Sequence, residues 1–357
     1  MISSFTYQSR PGRVIFGQGT MKALRDEAAA LGLQRVLVLS SPGQRSAAEA
    51  LSGLLGDRAA GLHPNAIMHT PTEVTETALQ VVRREKIDGL VAIGGGSAIG
   101  LSKALAHRTD LPQIVLPTTY AGSEMTPILG ETFGGVKKTL NHPSVLPETV
   151  IYDVDLTFSL PPRLSAVSGL NAMAHAIEAL YAKDRNPIIS LMALEAVRSL
   201  SHSLPEVLAK PYDLGARTEA LYGAWLCGTC LGAVGMALHH KICHTLGGSF
   251  NLPHAETHAV ILPHALAFNS PAIPDVMQSL QRNLGQDPAN ALYRLGGALG
   301  APRSLRDLGM PSSGIERAAE AALANPYWNP QPLRLDAIRA LLFRAWAGEP
   351  PEPPEVA

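Results

Sequence analysis

With 357 residues, 46% of them hydrophobic and 17% charged, the chain is long enough for one large or two medium domains, each with its own core. A net charge of −1 offers no basic field for nucleic acid or an anionic membrane, and no apolar run reaches the roughly 20 residues that cross a bilayer. The opening Met1-Ile2-Ser3-Ser4-Phe5 lacks the basic and apolar regions of a secretion signal, and an odd count of three cysteines suits a reducing compartment, so a cytoplasmic setting is expected.

Up to about residue 155, short β-branched runs alternate with amphipathic stretches. Residues 14–16, 35–39, 89–93, 113–116 and 149–152 read as strands, and 21–31 and 72–86 as helices. Near-continuous apolar strands are buried on both faces, so residues 1–155 are expected to form an α/β dinucleotide-binding domain around a parallel sheet. From residue 156 the strand signals fade. Asn186-Pro187 starts one helix, 218–238 forms another and 334–346 the last, which predicts an all-helical substrate domain over 156–357 with an extended Pro-rich tail at 348–354.

The strand at 89–93 runs into Gly94-Gly95-Gly96-Ser97 and then a helix. Glycines admit an anion close to the backbone, and the N–H groups at the helix start neutralise it, so this turn is a candidate pyrophosphate site although its spacing departs from GxGxxG. The next strand ends in Pro117-Thr118-Thr119, with Thr126 shortly after, and ligands of parallel sheets sit at such carboxyl ends. Ser40 stands where the strand at 35–39 ends, at a place where an acid often binds the adenosine ribose; no acid follows in Ser41-Pro42-Gly43. Lys138 and Lys241 are further cationic candidates.

Two helical segments each carry a polar pair at i, i+4, Asn171 with His175 and His240 with His244, and His254 follows ten residues after His244. An Asp at 171 would complete an oxygen-and-nitrogen ligand set for a divalent cation, whereas a neutral amide is a poor ligand. His239, His258 and His264 are read as structural, and Cys227 and Cys230 as buried small residues of an apolar helix rather than a dithiol.

These motifs resemble the iron-containing alcohol dehydrogenase family of the dehydroquinate-synthase-like superfamily. The resemblance rests on Phe16-Gly17, the GGGS turn at 94–97, Pro117-Thr118-Thr119, the SGLxAxxHAIE helix at 168–178, and the HxxxHxLG helix with Pro253-His254. It implies an N-terminal dinucleotide-binding domain, an all-α C-terminal domain and catalysis in the cleft between them. Carried over, the family's metal ligands fall on Asn171, His175, His240 and His254, with His244 nearby. The chain departs in having Asn for Asp at 171, Gly100 for a common Asp, Ala255 for Gly, and Tyr120 in the threonine-rich turn.

Those departures resemble the branch of the family that reduces maleylacetate with NADH or NADPH without a metal. The resemblance implies reduction of the conjugated carbon-carbon double bond to give 3-oxoadipate in aromatic-compound catabolism, a small dianionic substrate with chlorinated analogues as further candidates, and a homodimer. Such a reaction makes an enolate, which needs hydrogen-bond donors and a proton source. His244 or His254 is the expected proton donor, with His175, His240 and Asn171 orienting the substrate. The main alternative is a Zn- or Fe-dependent alcohol or polyol dehydrogenase of the same family; a carbocycle-forming lyase and a non-catalytic nucleotide-binding regulator are others.

Because no acid repels a 2'-phosphate after the strand at 35–39, NADPH should serve as well as NADH. Measured kcat/KM values should lie within about a hundredfold of each other, roughly 2.7 kcal/mol, and a stronger preference for NADH would contradict the reading.

Overall fold

The computed structural model describes residues 5, 7, 12–134 and 136–355, so most of the opening segment read above lies outside the described residues. These divide into two compact units, one ending at Leu160 and the other made of the chain from Pro161 onward together with Phe5 and Tyr7.

The first unit is a doubly wound α/β fold, in agreement with the expected class. Its strands are β1 (Arg13–Gly17), β2 (Val36–Leu39), β3 (Ala59–His63), β4 (Gly89–Gly94) and β5 (Gln113–Pro117), the hairpin β6 (Ile128–Phe133) and β7 (Val136–Asn141), and β8 (Thr149–Asp153). Its helices are α1 (Leu24–Ala30), α2 (Arg45–Leu55), α3 (Thr72–Arg84) and α4 (Gly96–Thr109). Six strands pair in parallel in the order β1-β8-β5-β4-β2-β3, and β6 and β7 form a separate antiparallel pair.

Alternation along the strands sorts their side chains between two helical layers. Val36, Val38, Val91, Ile93, Ile114 and Leu116 pack with Leu24 of α1 and Leu51 and Leu55 of α2. Leu37, Leu39, Leu90, Ala92 and Val115 pack with Leu79 and Val82 of α3 and Ile99 and Leu105 of α4. The chain passes outward from β2 to β3 and then returns to β4 on the other side of β2. Connections leaving β2 and β4 therefore diverge, and this switch point opens a crevice at the carboxyl ends of those two strands.

The second unit is all-helical, as the fading strand signals predict: α5 (Pro162–Leu180), α6 (Pro187–Ala209), α7 (Leu214–Ala233), α8 (Leu238–Phe250), α9 (His254–Asn269), α10 (Pro274–Leu284), α11 (Pro288–Ala298), α12 (Gly314–Ala324) and α13 (Leu335–Ala347). Asn186 caps α6 by accepting the Ile189 N–H, with Pro187 in the first turn, where a missing donor costs nothing. One core joins Ile242 and Leu246 of α8, Ile261 and Phe268 of α9, and Ile338 and Leu342 of α13.

The helix expected over 218–238 is in fact two. The chain turns by 92° between α7 and α8, because Gly235 N–H is held by Asp184 and Ala237 N–H by Glu178. Among the described residues no single helix is long and apolar enough to cross a membrane. The three cysteines are buried and unpaired, and burial pushes the Cys230 thiol up to about 12, the opposite of a reactive dithiol. The Pro-rich tail is irregular, and Arg344 binds Glu349 and Glu352 within it.

Candidate active site

The glycine turn sits where the crevice requires it. Gly94 ends β4 with φ +143°, a conformation costly for any side chain, and Gly95 caps α4. A Cβ on Gly95 would lie 2.9 Å from Thr119 Cγ2, whereas one on Gly96 would meet nothing within 4 Å. Thr118 N–H donates to the Gly94 carbonyl at 3.0 Å and so ties the end of β5 to the turn. This backbone cradle, followed by the N-terminus of a 14-residue helix, fits a pyrophosphate. Ser97 stands in the first turn of α4.

Three other residues are candidates for cofactor contact. Ser40 is buried just after β2, its Oγ without a hydrogen-bond partner. Thr126 turns its hydroxyl inward, donating to the Ser123 carbonyl and accepting from Lys103 and Ile128 N–H. Lys138 is exposed on β7 opposite Glu131, outside the six-stranded sheet. At Gly100 a Cβ would fall 2.3 Å from the Thr70 hydroxyl oxygen, so a side chain there requires Thr70 to move.

In the helical unit the expected residues do converge. Asn171 and His175 are buried on α5, His240 is buried and His244 exposed on α8, and His254 is exposed at the first residue of α9. Ring centroids of His175 and His240 are 5.0 Å apart, and those of His240 and His244 6.0 Å. His244 Nδ1 lies 3.1 Å from the Tyr327 hydroxyl, and Lys241 Nζ stands 5.9 Å from the Tyr327 ring centre.

Glu178, one helical turn from His175 and fully buried, organises this group. Its Oε1 accepts the His239 N–H at 2.7 Å, and its Oε2 accepts the Ala237 N–H at 3.1 Å and faces His240 Nδ1 at 2.5 Å. A side chain from α5 thus caps α8, which has no cap of its own. Burial pushes the Glu178 carboxyl up and, with the neighbouring histidines, pushes His240 well down. The N-terminus of α8 favours the anion at this position, so the arrangement is a carboxylate accepting Nδ1–H from a neutral imidazole. His240 Nε2 is left as an acceptor.

His239 and His258, read from the sequence as structural, both lie in the cluster. His258 is fully buried, with ring centroids 4.2 Å from His254, 4.8 Å from His239 and 5.0 Å from His240. The signal was available, since His254 and His258 share the i, i+4 spacing of the other pairs. His239 is structural: its Nε2 faces the His258 carbonyl at 3.1 Å, and burial takes it down to about 4. His264 lies apart, 6.4 Å from the Tyr293 ring.

The donor set departs from the family's ligand set at one position, Asn171. His239, His240 and His258 offer nitrogens within 4.8 Å of one another, and His240, whose Nδ1 faces Glu178, keeps Nε2 open. Asn171 contributes a neutral oxygen, and the one nearby carboxylate is committed to α8 and His240. Buried Asn171 Oδ1, His175 Nδ1 and His240 Nε2 have no hydrogen-bond partner, which marks the group as a polar ligand site.

Comparison with known proteins agrees with this geometry. Residues 11–154 match the iron-containing alcohol dehydrogenase model, and 165–346 match the model for the C-terminal part of the Fe-containing alcohol dehydrogenase family. The chain is 56% identical to the maleylacetate reductase of Rhizobium sp. (strain MTP-10005) over 98% of this chain and 99% of that protein. It is 53% identical to the maleylacetate reductase of Burkholderia cepacia over 98% and 100%. The crystal structure of maleylacetate reductase from Agrobacterium tumefaciens superposes with a TM-score of 0.96 at 54% identity, covering 98% of this chain and 100% of that one.

Replacing Glu178 by Gln puts an amide N–H where the Ala237 N–H and His240 Nδ1–H now point. Chemical denaturation should show a loss of about 2–4 kcal/mol, from buried donors left unpaired. Unchanged stability would contradict the role given to Glu178.

Proposed function

The chain belongs to the iron-containing alcohol dehydrogenase family, and on that premise we propose that it is a metal-independent, NAD(P)H-dependent reductase of maleylacetate, yielding 3-oxoadipate. The observation that carries the reading is Asn171 among buried imidazoles, in a set with no carboxylate free to hold a cation. An alkoxide-forming alcohol oxidation relies on a Lewis acid. Reduction of a double bond conjugated with a ketone does not.

Gly94, Gly95, Gly96 and Ser97, with Thr118 and Thr119, are the residues that would hold the dinucleotide, which supplies hydride to the carbon β to the ketone. The resulting enolate carries its charge on the former ketone oxygen, and the substrate brings two carboxylates as well. Neutral imidazoles and an amide can donate hydrogen bonds to these oxygens without a competing anion. We assign hydrogen bonding to the substrate to Asn171 and His175; His240, whose Nδ1–H is held by Glu178, lines the site with Nε2 as an acceptor. Proton delivery to the carbon α to the ketone falls to His244 or His254, the two exposed imidazoles, which can exchange protons with solvent. Lys241 adds positive charge beside Tyr327.

The proposal includes a cytoplasmic homodimer. Three unpaired cysteines support the compartment, and the family resemblance supports the dimer, which sedimentation of the purified protein would test.

Oxidation of NADPH in the presence of maleylacetate, with 3-oxoadipate identified as product, tests the assignment. Turnover is expected, and its absence would contradict the assignment. Replacing whichever of His244 and His254 is the donor by Ala should lower the rate at least about 100-fold, and wild-type rates in both variants would rule out this proton source.

A further inference from the structure

Lys241 lies on α8 three residues before His244, a spacing that puts both on one side of the helix. It is half-buried, and among the described residues no carboxylate comes within 4.0 Å of its Nζ. Glu178, the acid of this group, is taken up by two backbone N–H groups and His240. What the Lys241 ammonium faces is the ring of Tyr327, 5.9 Å from its centre, and the same side chain sets its hydroxyl 3.1 Å from His244 Nδ1.

Tyr327 is itself held in place by the loop that carries it. Two residues on, Asn329 accepts the Leu238 N–H at 3.4 Å and donates to Asn269 Oδ1 at 2.6 Å and to the Gln331 carbonyl at 2.8 Å. The loop is thereby fastened to the first turn of α8 and to the end of α9. A cation is attracted to the face of an aromatic ring, so the anchored Tyr327 draws the Lys241 ammonium toward His244. With no acid to neutralise it, that ammonium is open to an anion bound at the imidazoles.

We propose that Lys241 is a specificity-determining residue, whose ammonium binds one carboxylate of the dianionic substrate, the one beyond the ketone. The inference rests on maleylacetate being the substrate and adds which end of it this cation recognises. Hydride goes to the carbon β to the ketone, and that carbon itself carries a carboxylate, so this end of the molecule must meet the dinucleotide. The other carboxylate is joined through a methylene to the far side of the ketone. Its partner must adjoin the proton-donating imidazoles without belonging to the dinucleotide site, and Lys241, joined to His244 through Tyr327, meets both conditions. The contact forms when substrate binds and persists through hydride transfer, so its loss appears in KM rather than in kcat.

Wild-type enzyme is assayed first with maleylacetate and NADPH, and no turnover would overturn the substrate assignment and this inference with it. With turnover established, Lys241→Met, which keeps an unbranched apolar stem but no charge, should raise KM for maleylacetate about 10–100-fold, with kcat within about threefold and Kd for NADPH within about twofold of wild type. The decisive comparison uses cis-4-oxopent-2-enoate, which is maleylacetate with hydrogen in place of the carboxylate beyond the ketone. Its kcat/KM, or its Ki as a competitor where turnover is too slow to follow, should agree between wild-type and Lys241→Met enzymes to within about threefold. A merely structural role for Lys241 would weaken both compounds alike. That result, or an unchanged KM for maleylacetate in Lys241→Met, would overturn the proposal and leave the reductase assignment standing.

Discussion

The carboxylate of Glu178, buried between α5 and the start of α8, is the interaction on which the helical unit depends. Burying a lone carboxylate is costly, and it is tolerated here because two backbone N–H groups and an imidazole N–H converge on it. Charge-assisted hydrogen bonds of this kind contribute about 1.5–3 kcal/mol each, whereas removing the partners of a buried charge costs about 3–5 kcal/mol. The same contacts bend the chain between α7 and α8 and set the tautomer of His240. Local structure and chemistry are thus fixed by one side chain.

From that constraint follows the character of the site. The carboxylate is turned toward backbone and His240, the position that resembles a metal-binding Asp is Asn171, and the remaining groups are neutral donors and acceptors. Burial keeps His175, His240 and His258 uncharged by holding each well below its ordinary value, with neighbouring histidines adding to the effect. Such a site can hydrogen-bond carboxylates and an enolate. In the other unit, divergence of the connections after β2 and β4 opens the crevice that the glycine turn lines.

Much of this was legible in the sequence where the signal is local. β-branched runs marked five of the six parallel strands, and i, i+4 spacing brought Asn171, His175, His240 and His244 onto two helix faces. The edge strand β3, Ala-Ala-Gly-Leu-His, escaped because its residues have little β preference, and the hairpin of β6 and β7 because it carries charges and glycine. Thr126 could not be placed from its position alone, since the buried Lys103 ammonium draws its hydroxyl into the turn. The cap of α8 was illegible for a deeper reason: Glu178 lies 59 and 61 residues from the N–H groups it accepts, beyond any local rule.

The central claim, that this imidazole site works without a cation, is tested most directly by measuring bound metal and maleylacetate turnover on the same preparation, before and after exhaustive chelation. The account predicts metal far below one ion per chain and an undiminished rate. Stoichiometric zinc or iron, with activity lost on its removal and restored by its return, would contradict it.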